Sequence, residues 1–82
     1  MINVKKINKF NSLKINEFNL SIALIKDEFN YNIVGILKMN NKIIDYCETI
    51  NMSDHSLVNK TYNIIIKNMV CPCHFYNIID DI

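Results

Sequence analysis

Cys71-Pro72-Cys73-His74 is the segment whose residue types come closest to a chemical site. Thiolates and imidazole are zinc ligands, and Cys47 or His55 would complete a set of four. Structural zinc sites space their paired cysteines by two to four residues. One intervening residue is tighter than that, so the plainer reading packs Cys47, Cys71 and Cys73 as small apolar groups. A disulfide across Cys71 and Cys73 would close a small strained ring, and redox pairs use the longer C-x-x-C spacing. Cys73 and His74 are sequence neighbours, a poor arrangement for presenting a base to a nucleophile.

Ser53-Asp54-His55-Ser56 contains the residue types of a hydrolytic triad, but four successive residues at a helix start cannot converge on one point. Ser53 and Asp54 read instead as helix N-caps, with Asp54 favoured at the positive end of the helix. Asp27-Glu28 and Asp80-Asp81 are adjacent acids that point apart in extended chain, and they read as solvated loop charge. The single glycine, Gly35, excludes a P-loop and a dinucleotide fingerprint, each of which needs several. All nine basic residues are lysines. Without arginine the chain has no bidentate phosphate clamp and no arginine finger. Lys5, Lys6, Lys9 and Lys14 form a basic N-terminal stretch that reads as a solvated arm, or as contacts to phosphate or to an acidic protein surface.

Eighty-two residues with 50% hydrophobic and 21% charged composition describe one small globular domain spanning 1–82. A net charge of +1 gives no overall electrostatic footprint for nucleic acid. The abundance of Ile, Asn and Lys fits an AT-rich genome. No stretch reaches the ~18 apolar residues of a membrane span, and the start lacks the apolar core of a secretory signal. Three cysteines is an odd number, which argues against a disulfide framework and for a cytoplasmic setting.

The elements that must position these residues are clearest in the middle of the chain. Phe18, Leu20, Ile22 and Leu24 alternate as a half-buried strand does, over 18–26. Asp27 to Asn30 fits a four-residue loop, 31–39 a second strand, Asn40-Asn41 a tight turn, and 42–50 a third strand. Pairing through these turns sets Leu24 beside Ile33, Ile22 beside Gly35, Leu20 beside Leu37, Leu37 beside Ile44, Gly35 beside Tyr46 and Ile33 beside Glu48. One apolar face then collects Phe18, Leu20, Ile22, Leu24, Ile33, Leu37, Met39, Ile44 and Tyr46. Leu57, Val58, Thr61, Tyr62, Ile65, Ile66 and Met69 recur at helical spacing and predict a covering helix over about 54–70, stopped before Pro72. The expected fold is α+β, a three-stranded antiparallel meander with one helix on one face. Residues 1–16 fit a short helix, with Val4, Ile7, Phe10 and Leu13 every third residue, or an added edge strand. Residues 74–79 fit a strand or a turn of helix. The order strand-strand-strand-helix is shared with double-stranded-RNA-binding domains, but this helix lacks their N-terminal lysine cluster, and no family is assigned.

The second sheet face is too apolar to be idle. It carries Ala23, Ile25, Val34, Ile36, Ile43 and Cys47, so either residues 1–16 fold over it or another chain does. The function this implies is a non-enzymatic protein-binding module, in the manner of small inhibitors or accessory proteins of phages and mobile elements. It would use Ile25, Val34, Ile36 and Ile43, with Lys5, Lys6 and Lys9 as a basic flank. The partner would be another protein or a second copy, held on this face or along an edge strand. The alternatives are nucleic-acid binding by the basic stretch and a zinc-stabilised domain built on Cys71, Cys73, His74 and Cys47. No cofactor is expected. The purified protein should contain no stoichiometric zinc by elemental analysis, and Cys71→Ser with Cys73→Ser should leave its thermal melting unchanged. One zinc per chain, lost in that double variant, would make these residues ligands.

Overall fold

The computed structural model describes residues 6–49 and 51–81. Four antiparallel strands, β1 (Lys6–Ile15), β2 (Phe18–Lys26), β3 (Tyr31–Met39) and β4 (Lys42–Glu48), lie in the order β1-β2-β3-β4. Helix α1 (His55–Asn68) follows, then a 3₁₀ turn at Pro72–His74 that runs into α2 (Phe75–Asp81). The class is α+β, as the patterning implies, with two additions. Residues 6–15 form a fourth strand, and the C-terminal segment is helical.

The turns rest on asparagine. Asn40 and Asn41 both take positive φ, 51° and 68°, and Asn16 takes 53° at the β1–β2 turn. Asn reaches this region at less cost than other residues with a side chain, which suits a chain with one glycine. Across Asp27–Asn30 the Asp27 N–H donates to the Asn30 carbonyl at 2.8 Å. The β2–β3 register is the expected one, with Lys26 opposite Tyr31, Leu24 opposite Ile33, Ile22 opposite Gly35 and Leu20 opposite Leu37.

The β3–β4 register differs. Met39 pairs with Lys42 and Lys38 with Ile43, but Leu37 then meets Asp45, Gly35 meets Cys47 and Val34 meets Glu48. Ile44 is an extra residue, a β-bulge. From there onward every side chain of β4 is on the face opposite to the one expected. Asp45 and Cys47 face the helical layer, while Tyr46 and Glu48 face away. Ile44 and Tyr46 are therefore not part of the covered face; they are 49% and 53% exposed.

The cause lies over Gly35. The Phe75 ring and Pro72 pack directly on this glycine, and a Cβ there would sit within the van der Waals envelope of Phe75 Cζ and Cε2 and 3.2 Å from Pro72 Cγ. The space that the expected register gives to the Tyr46 ring is taken by Phe75, which is fully buried. The remaining core is Leu20, Ile22, Leu24 and Ile33 of the sheet, Val58, Tyr62 and Ile65 of α1, and Met52.

Asp54 caps α1 by accepting the Leu57 N–H at 3.1 Å. The helix ends at Asn68, inside the expected limit. Met69 turns left-handed at φ 51°, while its N–H and that of Val70 bond back to Ile66 and Ile65. Tyr62 ties the layers together, its hydroxyl accepting from Asn11 Nδ2 of β1 at 2.9 Å and donating to the Ile22 carbonyl of β2 at 3.4 Å. The Cα envelope measures 39 × 32 × 16 Å, the thickness of one sheet and one helical layer.

Gly35→Ala should destabilise the protein by about 1–3 kcal/mol, because the added methyl displaces a buried ring. Phe75→Leu in the same chain should recover part of that loss. A double-mutant cycle by urea denaturation would read the coupling, and strictly additive losses would show that Phe75 does not rest on Gly35.

Candidate protein-binding face

Strand pairing places side chains directly, because residues opposite one another share a face. On the side away from the helices one row runs Phe10, Ala23, Val34, Glu48, and the next Ser12, Ser21, Ile36, Tyr46. Ile7 and Ile25 stand together at one end, and Lys14, Asn19, Lys38 and Ile43 line the other. Among the described residues no element packs over this face. Ile7 is 66% exposed, Phe10 57% and Ile43 58%, whereas Ala23, Ile25, Val34 and Ile36 are half-buried between their neighbours. Residues 6–15 do not fold across it; they extend it by one strand. Tyr46 donates its hydroxyl to Glu48 Oε2 at 3.1 Å, and that hydrogen bond is the main reason its phenol is held above the ordinary tyrosine range.

The face thus joins Ile25, Val34, Ile36 and Ile43, as the sequence implies, and adds Ile7, Phe10 and Tyr46. Phe10 and Ile7 were hidden from sequence reading by a second bulge. β1 shifts register between Ile7 and Lys9, so two residues three apart stand on the same face. The lysines do not join as a group. Lys9 lies on the helix side, where its ammonium donates to Asn59 Oδ1 at 3.0 Å and sits 5.9 Å from the Tyr62 ring centroid. Lys6 pairs across the sheet with Lys26, and Lys5 lies outside the described residues.

The cysteine segment is used in packing. Pro72 is buried on Gly35, and the Cys73 N–H donates to Asp45 Oδ2 at 2.9 Å. His74 Nδ1 lies 3.2 Å from Asn77 Nδ2. All three cysteines are free thiols, and among the described residues no three His, Cys, Asp or Glu side chains come together as metal ligands would. Desolvation first, and then the Asp45 carboxylate, push the Cys73 and Cys47 thiols above the usual cysteine range. At the helix start, Asp54 is engaged as the cap, and His55 packs on Tyr31 with ring centroids 5.3 Å apart while Nε2 meets Asn59 Nδ2 at 2.9 Å.

On the helix side, α1 stops short of the β1–β2 turn and leaves an apolar groove in two lobes. One, about 250 Å³, lies between Leu13, Ile15, Phe18, Leu37, Met69 and Cys71; the other, about 280 Å³, adds Asn11, Ile66 and Lys67. Each lobe is smaller than typical small-molecule sites, and neither gathers a set of titratable groups. No helix among the described residues is long and apolar enough to cross a membrane. Comparison of the chain with protein-family models, with curated proteins and with solved structures found no match in any of the three.

Asp45→Asn should speed labelling of Cys73 by a thiol reagent at mildly alkaline pH. Removing the carboxylate lowers the thiol pKa toward its ordinary value and so increases the thiolate fraction. The pH profile of labelling should move to lower pH in the variant; an unchanged profile would mean that Asp45 does not act on Cys73.

Proposed function

We propose that this protein is a non-catalytic module that binds another protein through the outer face of its sheet, around Phe10, Val34 and Ile36. One observation carries the reading. A four-stranded sheet whose other side already packs against a helical layer presents contiguous apolar side chains with no cover among the described residues. Scattered exposed apolar residues are normal on small domains, but a contiguous patch marks a contact surface. Aromatic residues at Phe10 and Tyr46 are of the kind that anchor such contacts. The free thiols fit a reducing cytosol, and a chain of this size fits a small inhibitor or accessory protein.

The lysine arrangement gives less support to nucleic acid as the partner. Phosphate binding draws on cations gathered along one surface. Here Lys9 is held against α1, and Lys14 and Lys38 flank an apolar face that has no arginine.

Val34→Lys and Ile36→Lys should retain thermal melting within a few degrees, since a lysine stem can lie along the sheet with its ammonium in water. Each should weaken partner binding by about 2 kcal/mol or more, measured by calorimetry with a partner recovered from the native host. Lys6→Ala with Lys9→Ala should leave binding at moderate salt nearly unchanged. Normal binding by the face variants, together with salt-sensitive RNA or DNA binding lost in the lysine variant, would replace this reading with the nucleic-acid one.

A further inference from the structure

We propose that the groove on the helix side of the sheet binds a free medium-chain fatty acid, its hydrocarbon tail along the floor and its carboxylate at Lys67. This goes beyond the protein-binding reading and uses the opposite side of the sheet, so either can fail alone.

Shape is the first argument. Leu13, Leu20 and Met69 line both lobes, which therefore form one continuous groove. Taken together the lobes fall within the range of small-molecule sites, roughly 300–1,000 Å³. From Asn11 to Ile15 the floor follows β1 for about 13 Å, the length of roughly ten extended carbons. The recess lies between α1 and the sheet, so an acyl chain must leave a bilayer to enter it, which points to a free ligand.

Polarity is the second argument. Asn11, Ser12 and Lys67 all belong to one lobe, whereas the other is bounded by Ile15, Phe18 and Leu37. Among the described residues no acid lines either lobe, and Lys67 is the one charged residue of the lining. The groove is thus cationic at one end and apolar at the other, the complement of a single hydrocarbon chain ending in an anion.

The backbone supplies a third. Met69 closes α1 in the left-handed region at φ 51°. The other described residues with positive φ are all asparagines. Glycine or asparagine would close the helix at lower cost. Met69 is 52% exposed, outside the core, and lines both lobes. An apolar side chain held where the backbone disfavours it is accounted for by a ligand that it covers.

Titration of the full chain with decanoate, below its micelle concentration, should show saturable binding by calorimetry. Backbone amide shifts in NMR spectra should change most around Leu13, Leu20, Ile66 and Met69. Affinity should rise roughly five- to tenfold from octanoate to decanoate, as two more methylenes leave water, and level off once the chain outgrows the groove. Lys67→Glu should weaken decanoate about fivefold and reverse the preference over decyltrimethylammonium. Lys60→Glu, on the same helix but outside the groove, should leave both affinities nearly unchanged. Met69→Asn should melt no lower than the parent chain, because asparagine tolerates the left-handed cap, yet bind decanoate at least about fivefold more weakly. No saturable binding at millimolar decanoate, or equal binding of decyltrimethylammonium by the parent chain, overturns the assignment of an anionic chain. Undiminished binding by Lys67→Glu and by Met69→Asn overturns the groove as its place. Co-sedimentation of the protein with phosphatidylglycerol vesicles overturns the free ligand in favour of a membrane surface.

Discussion

Where β3 passes beneath the C-terminal segment, its backbone meets the Phe75 ring with no side chain between them. That contact is available at one residue only, because Gly35 is the single glycine of the chain. Close approach of an aromatic ring to a sheet is a common use of a strand glycine, and here it determines what neighbouring β4 can place beside it. Phe75 and Pro72 fill the space, so β4 presents Cys47 there, and the Tyr46 ring is turned to the far side. The same shift carries Asp45 to the helix side, where its carboxylate receives the Cys73 N–H and ties the segment down. Packing at Gly35 thereby goes with the reversed polarity of β4 from Asp45 to Glu48, on both faces of the sheet.

The helical layer is held at three places with different chemistry. Phe75 and Pro72 cover β3 and β4, Val58 and Ile65 fill the centre, and Tyr62 joins β1 and β2 through its hydroxyl. This layer is complete over the middle of the sheet and stops short near the β1–β2 turn. Nothing comparable exists on the other side among the described residues. The asymmetry is what makes the outer rows the stronger candidate for binding. The groove beside Met69 lies within a layer that is already mostly filled, whereas the outer face lacks a layer altogether.

Much of the fold could be read from the chain because alternation and turn chemistry agree. Leu20, Ile22 and Leu24 alternate between two segments that asparagine and aspartate mark as turns, and the β2–β3 register follows from those two facts. The start of α1 was legible from Asp54 for a similar reason, since a cap is a local interaction. β4, whose parity the pattern gets wrong, and β1, whose pattern fits a short helix as well as an edge strand, each contain a bulge. At Ile44 the extra residue reversed the parity of everything after it. In β1, with its shift between Ile7 and Lys9, Ile7 and Phe10 share a face at a spacing of three, which imitates helical periodicity. A bulge answers to packing against distant residues, here Phe75 some thirty positions along the chain from β4, so local pattern carries no trace of it. Four proposed contact positions, Ile25, Val34, Ile36 and Ile43, kept their side because β2, β3 and the first pair of β4 precede any slip. Lys9 went to α1, since its partners Asn59 and Tyr62 are fifty residues away.

Both bulges fall on the outermost strands, β1 and β4. An open antiparallel sheet with two free edges is a template for lateral growth, each copy extending the hydrogen-bonded ladder of the last into a ribbon. Such growth needs an edge whose donors and acceptors repeat without interruption. The register shift near the start of β1 and the extra residue in β4 both break that repeat and increase the local twist, so a new strand would match for only part of its length. The irregularities that obscured the sequence pattern thus cap the sheet against fibre formation at both of its edges, whereas the broad face between them carries no such interruption along β2 and β3.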